Sequence, residues 1–189
     1  MTKPDRRVER TRQTLLAAFR DLMLAHGYDG LTVREIIEHA NIGRSTFYDH
    51  FDGLDDLFRA SIAPLLAVLA DAVAPAPSVA LSRVVGHFWE NRRLSRVMFA
   101  GPTRPLMAGF LADLIHERLA ATPRLRRAIP VIPLPLIAAH LAEAQLGLLA
   151  AWLGGKAPCT ADAIAAALHR SAAASVGAFV DCRPSTSSG

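Results

Sequence analysis

Apolar residues in this chain recur every three to four positions, in runs broken by Gly, Pro and Asn, so the pattern predicts helices. Leu15, Phe19, Leu22 and Met23 share one face and predict a first helix over 10–26, ended by Gly27, with Tyr28 and Leu31 as apolar groups in the connection. Thr32 and Glu35 form a capping box, T-V-R-E, and Leu31 and Ile36 flank it at the spacing of a hydrophobic staple. Val33, Ile36, Ile37 and Ala40 are the buried face of this second, short helix. Asn41 suits a left-handed turn residue, Ile42 plugs the corner, and Gly43 caps a third helix over 44–51. There Phe47 and Phe51 face inward, leaving Arg44, Ser45, Thr46, Tyr48 and His50 outward or sideways.

After Asp52-Gly53, Asp55 and Asp56 begin a fourth helix that continues to about residue 73, with a kink near Ala60 or a change of helix expected from Pro64. Ser78 caps a helix to about residue 91, followed by helices over 94–100 and 106–122. A proline- and arginine-rich surface loop is expected over 124–135. Two long apolar helices, 136–153 and 160–180, close the chain before a polar tail, 183–189, expected to be disordered. The fold class expected is all-α, with no sheet. Its parts are a helix-turn-helix domain over 1–52, a connecting helix over 53–74 and a helical domain over 75–182.

Composition supports a soluble helical protein, 51% hydrophobic and 20% charged. The net charge of +4 does not mark a DNA-binding surface by itself. Residues 1–60 carry nine Lys/Arg against ten Asp/Glu, and residues 61–130 carry nine against four. Arg6, Arg7 and Arg10 suit either an arm on phosphates or a solvated leader. Cys159 and Cys182 have no metal-ligand spacing, which fits two thiols in a reducing cytoplasm; no metal and no cofactor are expected. Residues 132–153 are apolar but hold two prolines, His140, Glu143 and Gln145, so a buried helix is expected there and not a membrane span. No signal peptide, catalytic triad, carboxylate pair or glycine-rich phosphate loop is recognisable, and an enzyme is not expected.

The third helix has the composition a groove-reading helix needs: hydrogen-bonding side chains, an arginine at its start and no exposed aliphatics. From Gly27 to Leu57 the chain resembles the N-terminal domain of the TetR family of bacterial transcriptional regulators. The likeness runs through Gly27-Tyr28, Leu31-Thr32-Val33, Ile36, Ala40, Ile42, the run Thr46-Phe47-Tyr48-Asp49-His50-Phe51, and Leu57. The resemblance implies an all-helical homodimer whose third helix enters the major groove, and two-fold symmetry then predicts an inverted-repeat operator. Arg44, Ser45 and Thr46 would meet base edges, Tyr48 and His50 would hold phosphates or serve only as packing groups, and Thr32 and Arg34 would contact backbone, unless Arg34 pairs with Glu38. Four positions depart from the family pattern: Ile37 replaces the usual alanine, Asn41 a glycine, Gly43 a serine and Leu54 a phosphate-binding lysine. The last, beside Asp52, Asp55 and Asp56, weakens the expected hold on the DNA backbone.

The two long C-terminal helices would form a four-helix dimer interface with a second copy, or core the monomer. The family likeness also implies a small-molecule effector, with Phe88, Trp89, Met98, Phe99, Met107 and Phe110 able to line its pocket or serve as plain core. His87, His116 and His140 are candidate polar handles. Arg92, Arg93, Arg96, Arg104, Arg124, Arg126 and Arg127 would favour an acidic effector or DNA flanks, or lie on solvated faces. The function expected is a repressor released from its operator by the effector. The competing reading is a DNA-bound adaptor acting through a protein partner.

Overall fold

The structure, a computed structural model, describes residues 6–181 other than 100, 124 and 126–128. The described chain is helical, apart from one two-residue strand pairing. Its helices are α1 (Arg6–His26), α2 (Val33–Ala40), α3 (Arg44–Tyr48), α4 (Leu54–Ala70), α5 (Val79–Glu90), α6 (Arg92–Phe99), α7 (Thr103–Ala121), α8 (Leu134–Leu153) and α9 (Ala161–Phe179), with a 3-10 turn, Asp71–Val73, after α4.

The ends differ from the sequence expectation for identifiable reasons. Helix α1 begins four residues early because its first turns bury nothing, so no apolar period marks them; the Thr11 and Thr14 hydroxyls donate back to the Arg7 and Arg10 carbonyls. Arg6, Arg7 and Arg10 thus lie on a helix and do not form an extended arm. Helices α7 and α8 start before Pro105 and Pro135, because the first helical turn needs no N–H donor. No change of helix occurs at Pro64; α4 runs through it. The Pro64 ring lies on the exposed face, where water can satisfy the carbonyl that loses its partner. Helix α3 stops at Tyr48, yet the Phe51 N–H still donates to the Phe47 carbonyl at 2.9 Å, which keeps Phe51 buried.

The expected loop over 124–135 contains a short strand, β1 (Ile129–Pro130), paired antiparallel with β2 (Val180–Asp181), and α8 already begins at Leu134. The Val131 N–H extends the pairing by donating to the Phe179 carbonyl at 2.8 Å. This clip closes the end of α9 onto the chain before α8. Arg124, Arg126, Arg127, Cys182 and the tail 183–189 lie outside the described residues.

Two regions of core meet at α4. At the N-terminal end Phe19 packs edge-on against Phe58, which Tyr28 also meets edge-on, with centroids 6.2 and 5.5 Å apart. At the C-terminal end α7 lies along α8 and also packs on α4, burying Leu111, Ile115, Leu119, Leu141, Leu146 and Leu149. Helix α8 is long and apolar enough to cross a membrane, but half of it is buried inside the protein. Arg118 ties α7 to Asp71 at 2.8 Å, and His169 on α9 lies 3.0 Å from the Ala72 carbonyl.

Candidate nucleic-acid interface

Helix α2 is held at both ends by its own sequence. The Thr32 hydroxyl accepts from the Glu35 N–H at 3.2 Å, and the Glu35 carboxylate accepts from the Thr32 N–H at 2.8 Å, completing the capping box. The Thr32 hydroxyl in turn donates to the Glu35 carboxylate at 2.8 Å, and this bond first, then the one from the Thr32 N–H, holds the Glu35 carboxyl below its ordinary value. At the other end Asn41 adopts φ 52°, ψ 48° and its N–H donates to the Glu38 carbonyl, while the Ile42 N–H donates to that of Ile37. This left-handed residue turns the chain directly into α3.

Helix α3 is too short to stand alone, and Phe47 anchors it. Phe47 is fully buried, with its ring 5.9 Å from Phe51 and 5.2 Å from Tyr48. With that face fixed inward, Arg44 and Ser45 are exposed, Tyr48 is 45% exposed, and Thr46 and His50 are half-buried. The Arg44 guanidinium lies 5.7 Å from the Tyr48 ring centroid, so the two side chains share one outer surface. Gly43 caps α3 without a side-chain bond; a Cβ there would meet the Thr46 hydroxyl at 3.9 Å, so a serine fits.

Thr32 is exposed at the start of α2. Arg34 is exposed too, but its Nε pairs with Glu38 at 2.7 Å, the alternative partner weighed from the sequence. Two further features are not evident from sequence spacing. Arg12 of α1 places its guanidinium 4.8 Å from the Phe51 ring centroid, a cation close to the end of α3. Two of the acids beyond α3 accept hydrogen bonds: Tyr28 donates its hydroxyl to Asp55, and the Asp52 N–H donates to Asp56 at 3.1 Å. Burial first, then the hydrogen bond and charge of Asp55, push the Tyr28 phenol well above its ordinary pKa. Leu54 is half-buried and packs against the core.

The side chains expected to line an effector pocket or serve as core differ in their surroundings. Phe88 and Phe99 pack edge-on at 5.1 Å, and Met98 and Met107 are buried. Phe110 is partly buried beneath Arg59, and Trp89 is turned outward, stacked on Trp152 at 4.8 Å. Several of the middle arginines have partners inside the protein: Arg92 lies over Trp89, Arg96 donates to the Leu153 carbonyl, and Arg104 pairs with Glu143. His87 contacts Asn91, and His140 lies edge-on to Phe179. No group of three metal-ligating side chains occurs among the described residues.

Comparison with known proteins agrees with this geometry. Residues 15–61 match the family model for bacterial regulatory proteins of the tetR family. The chain is 39% identical over 75 residues to an uncharacterized HTH-type transcriptional regulator, YxbF, of Bacillus subtilis (strain 168). That match covers 39% of this chain and 20% of the relative, so the chain spans about a fifth of the relative's length. Among solved structures, it resembles a TetR-family regulator from Streptomyces coelicolor A3, with a TM-score of 0.63, 20% identity and coverage of 93% and 99% of the two chains. A second similar structure, a putative TetR-family transcriptional regulator from Syntrophomonas wolfei, gives 0.60 at 18% identity over 89% and 96%. A third, from Streptococcus agalactiae, gives 0.57 at 22% identity over 89% and 96%. The matched segment spans α2, the Asn41 turn and α3, so the N-terminal helix-turn-helix of this chain is similar to that of bacterial regulatory proteins of the tetR family.

Proposed function

We propose that the chain is a transcriptional regulator that binds an inverted-repeat DNA operator as a homodimer and is released from it by a small-molecule effector. The observation that carries the reading is α3 itself. Phe47 is fully buried while Arg44, Ser45 and Tyr48 are exposed on the opposite surface, so the helix is fixed to the domain and offers hydrogen-bonding groups outward. Arg44 can meet guanine O6 and N7, with Ser45 and Thr46 on adjacent base edges. Thr32, Tyr48 and His50 hold phosphates, and Arg34 joins them when it leaves Glu38.

Pairing of two copies is supported by the outer faces of α8 and α9. Leu136, Ala139 and Ala144 on α8, with Ala166, Ala173, Ala174 and Ala178 on α9, are exposed in the single chain and suit close helix–helix packing. An effector is supported by Gln145 on α8. It is 2% exposed, and neither of its side-chain polar atoms has a hydrogen-bond partner among the described residues. An unpaired buried carboxamide is destabilising by about 1–3 kcal/mol, which a ligand carrying both a donor and an acceptor would offset. Repression is released if that ligand favours a geometry in which the two reading helices no longer fit successive major grooves. The protein acts where the DNA is, in the bacterial cytoplasm.

Selection of bound duplexes from a random pool tests the reading. The expected product is a palindromic motif with half-site centres about one helical turn, or a multiple of it, apart. Recovery of no preferred sequence would sink it.

A further inference from the structure

A cleft of about 350 Å³ opens where the N-terminal helices meet the C-terminal ones. One wall is His26, Tyr28 and Asp29, where α1 turns toward α2; the other is Arg96 and Val97 of α6 with Pro102 just before α7. We infer that this cleft binds an α-amino acid with an apolar side chain, held as a zwitterion between Arg96 and Asp29. The inference concerns a site separate from the C-terminal core and does not depend on the operator or on Gln145.

The chemistry of the two walls selects that class. Arg96 donates its Nε to the Leu153 carbonyl and sets Nη2 beside Gly155, which anchors the planar guanidinium and leaves Nη1 for a carboxylate. Asp29 lines the same cleft from the loop beyond α1, and Gly27, at φ 72°, ends that helix there. The negative end of the helix dipole and the Asp29 carboxylate both favour an ammonium group. Among the described residues neither Arg96 nor Asp29 forms an ion pair, so each charge is available to a ligand between them. A simple carboxylate would also face Asp29, and a simple amine would also face Arg96; a zwitterion satisfies both walls. Tyr28, Val97 and Pro102 supply apolar surface for a side chain, and the volume is at the small end of ligand sites.

The cleft also touches the machinery of the reading head. Tyr28 donates to Asp55 in the first turn of α4 and packs edge-on against Phe58. A molecule seated there joins α6 to the α1–α2 connection and, through Tyr28, to the start of α4.

Calorimetric titration of the full chain with L-phenylalanine tests the assignment, with N-acetyl-L-phenylalanine and L-phenylalaninamide as controls. Saturable binding of the parent is expected, weakened about tenfold or more when either charged end is blocked. Asp29→Asn, an exposed position that does not disturb the fold, should weaken the parent by a similar factor, and Arg96→Gln should do so as well. Absence of saturable binding to about 10 mM would overturn the inference. So would equal binding of the parent and either control, or an Asp29→Asn variant that binds as the wild type does. No DNA enters this experiment, so its failure leaves the operator-binding reading intact.

Discussion

Phe47 and Glu35 show how single side chains hold the reading surface in place. Phe47 is the fully buried anchor of a five-residue helix, so the outward set from Arg44 to Tyr48 depends on it. Phe47→Ala should lower stability by about 3–5 kcal/mol in denaturant unfolding, well beyond an exposed substitution in the same helix. Glu35 acts through charge. Its carboxyl is held below the ordinary range by the Thr32 hydroxyl and then the Thr32 backbone N–H. A depressed folded-state value means that the stabilisation is fully present above the unfolded carboxylate value, about 4.3, and is lost as pH falls through the folded one. Glu35→Gln keeps an acceptor for the Thr32 N–H but removes the titration. Wild-type stability should therefore fall more steeply than that of Glu35→Gln below about pH 5, as followed by thermal melts; parallel curves would contradict the assignment.

The angle between α2 and α3 depends on Asn41, the one described non-glycine residue with positive φ. Asn41→Ala should destabilise the domain by about 1 kcal/mol, because alanine enters the left-handed region at a cost, and equilibrium unfolding would measure it. This turn was legible in the sequence because every determinant is local: Thr32 and Glu35 three apart, Asn41 at the corner, Phe47 and Phe51 four apart. Element ends elsewhere were less legible. Nothing apolar marks the first turns of α1, and Pro105 and Pro135 look like stops although each lies in a first turn that tolerates proline. The β1–β2 clip joins residues some fifty apart and has no local signature. The cleft between Asp29 and Arg96 was illegible for the same reason, since its walls meet only through the packing of α1 on α6.

For the molecule as a whole, affinity for DNA depends on how charge is placed around the reading head. The basic excess lies in residues 61–130, and part of it is engaged internally by Glu143, Asp71 and the Leu153 carbonyl. At the start of α4 Leu54 is a half-buried apolar group. Two of the neighbouring acids, Asp55 and Asp56, are hydrogen-bonded to Tyr28 and to the Asp52 N–H. Leu54→Lys should restore one phosphate contact per subunit. The dependence of log affinity on log salt should then steepen by about two for a dimer, measured by fluorescence anisotropy on a selected duplex. An unchanged slope would show that position 54 lies away from the backbone.

The central claim is that α3 reads bases in two symmetric half-sites, and Arg44→Ala tests it most directly. Affinity of the wild type and the variant would be measured against the selected duplex and its single-base changes. The expected result is a loss of about 1–3 kcal/mol per reading contact, with discrimination relaxed at one position in each half-site and retained elsewhere. A variant that binds every duplex as the wild type does, with unchanged preference, would contradict a base-reading role for α3.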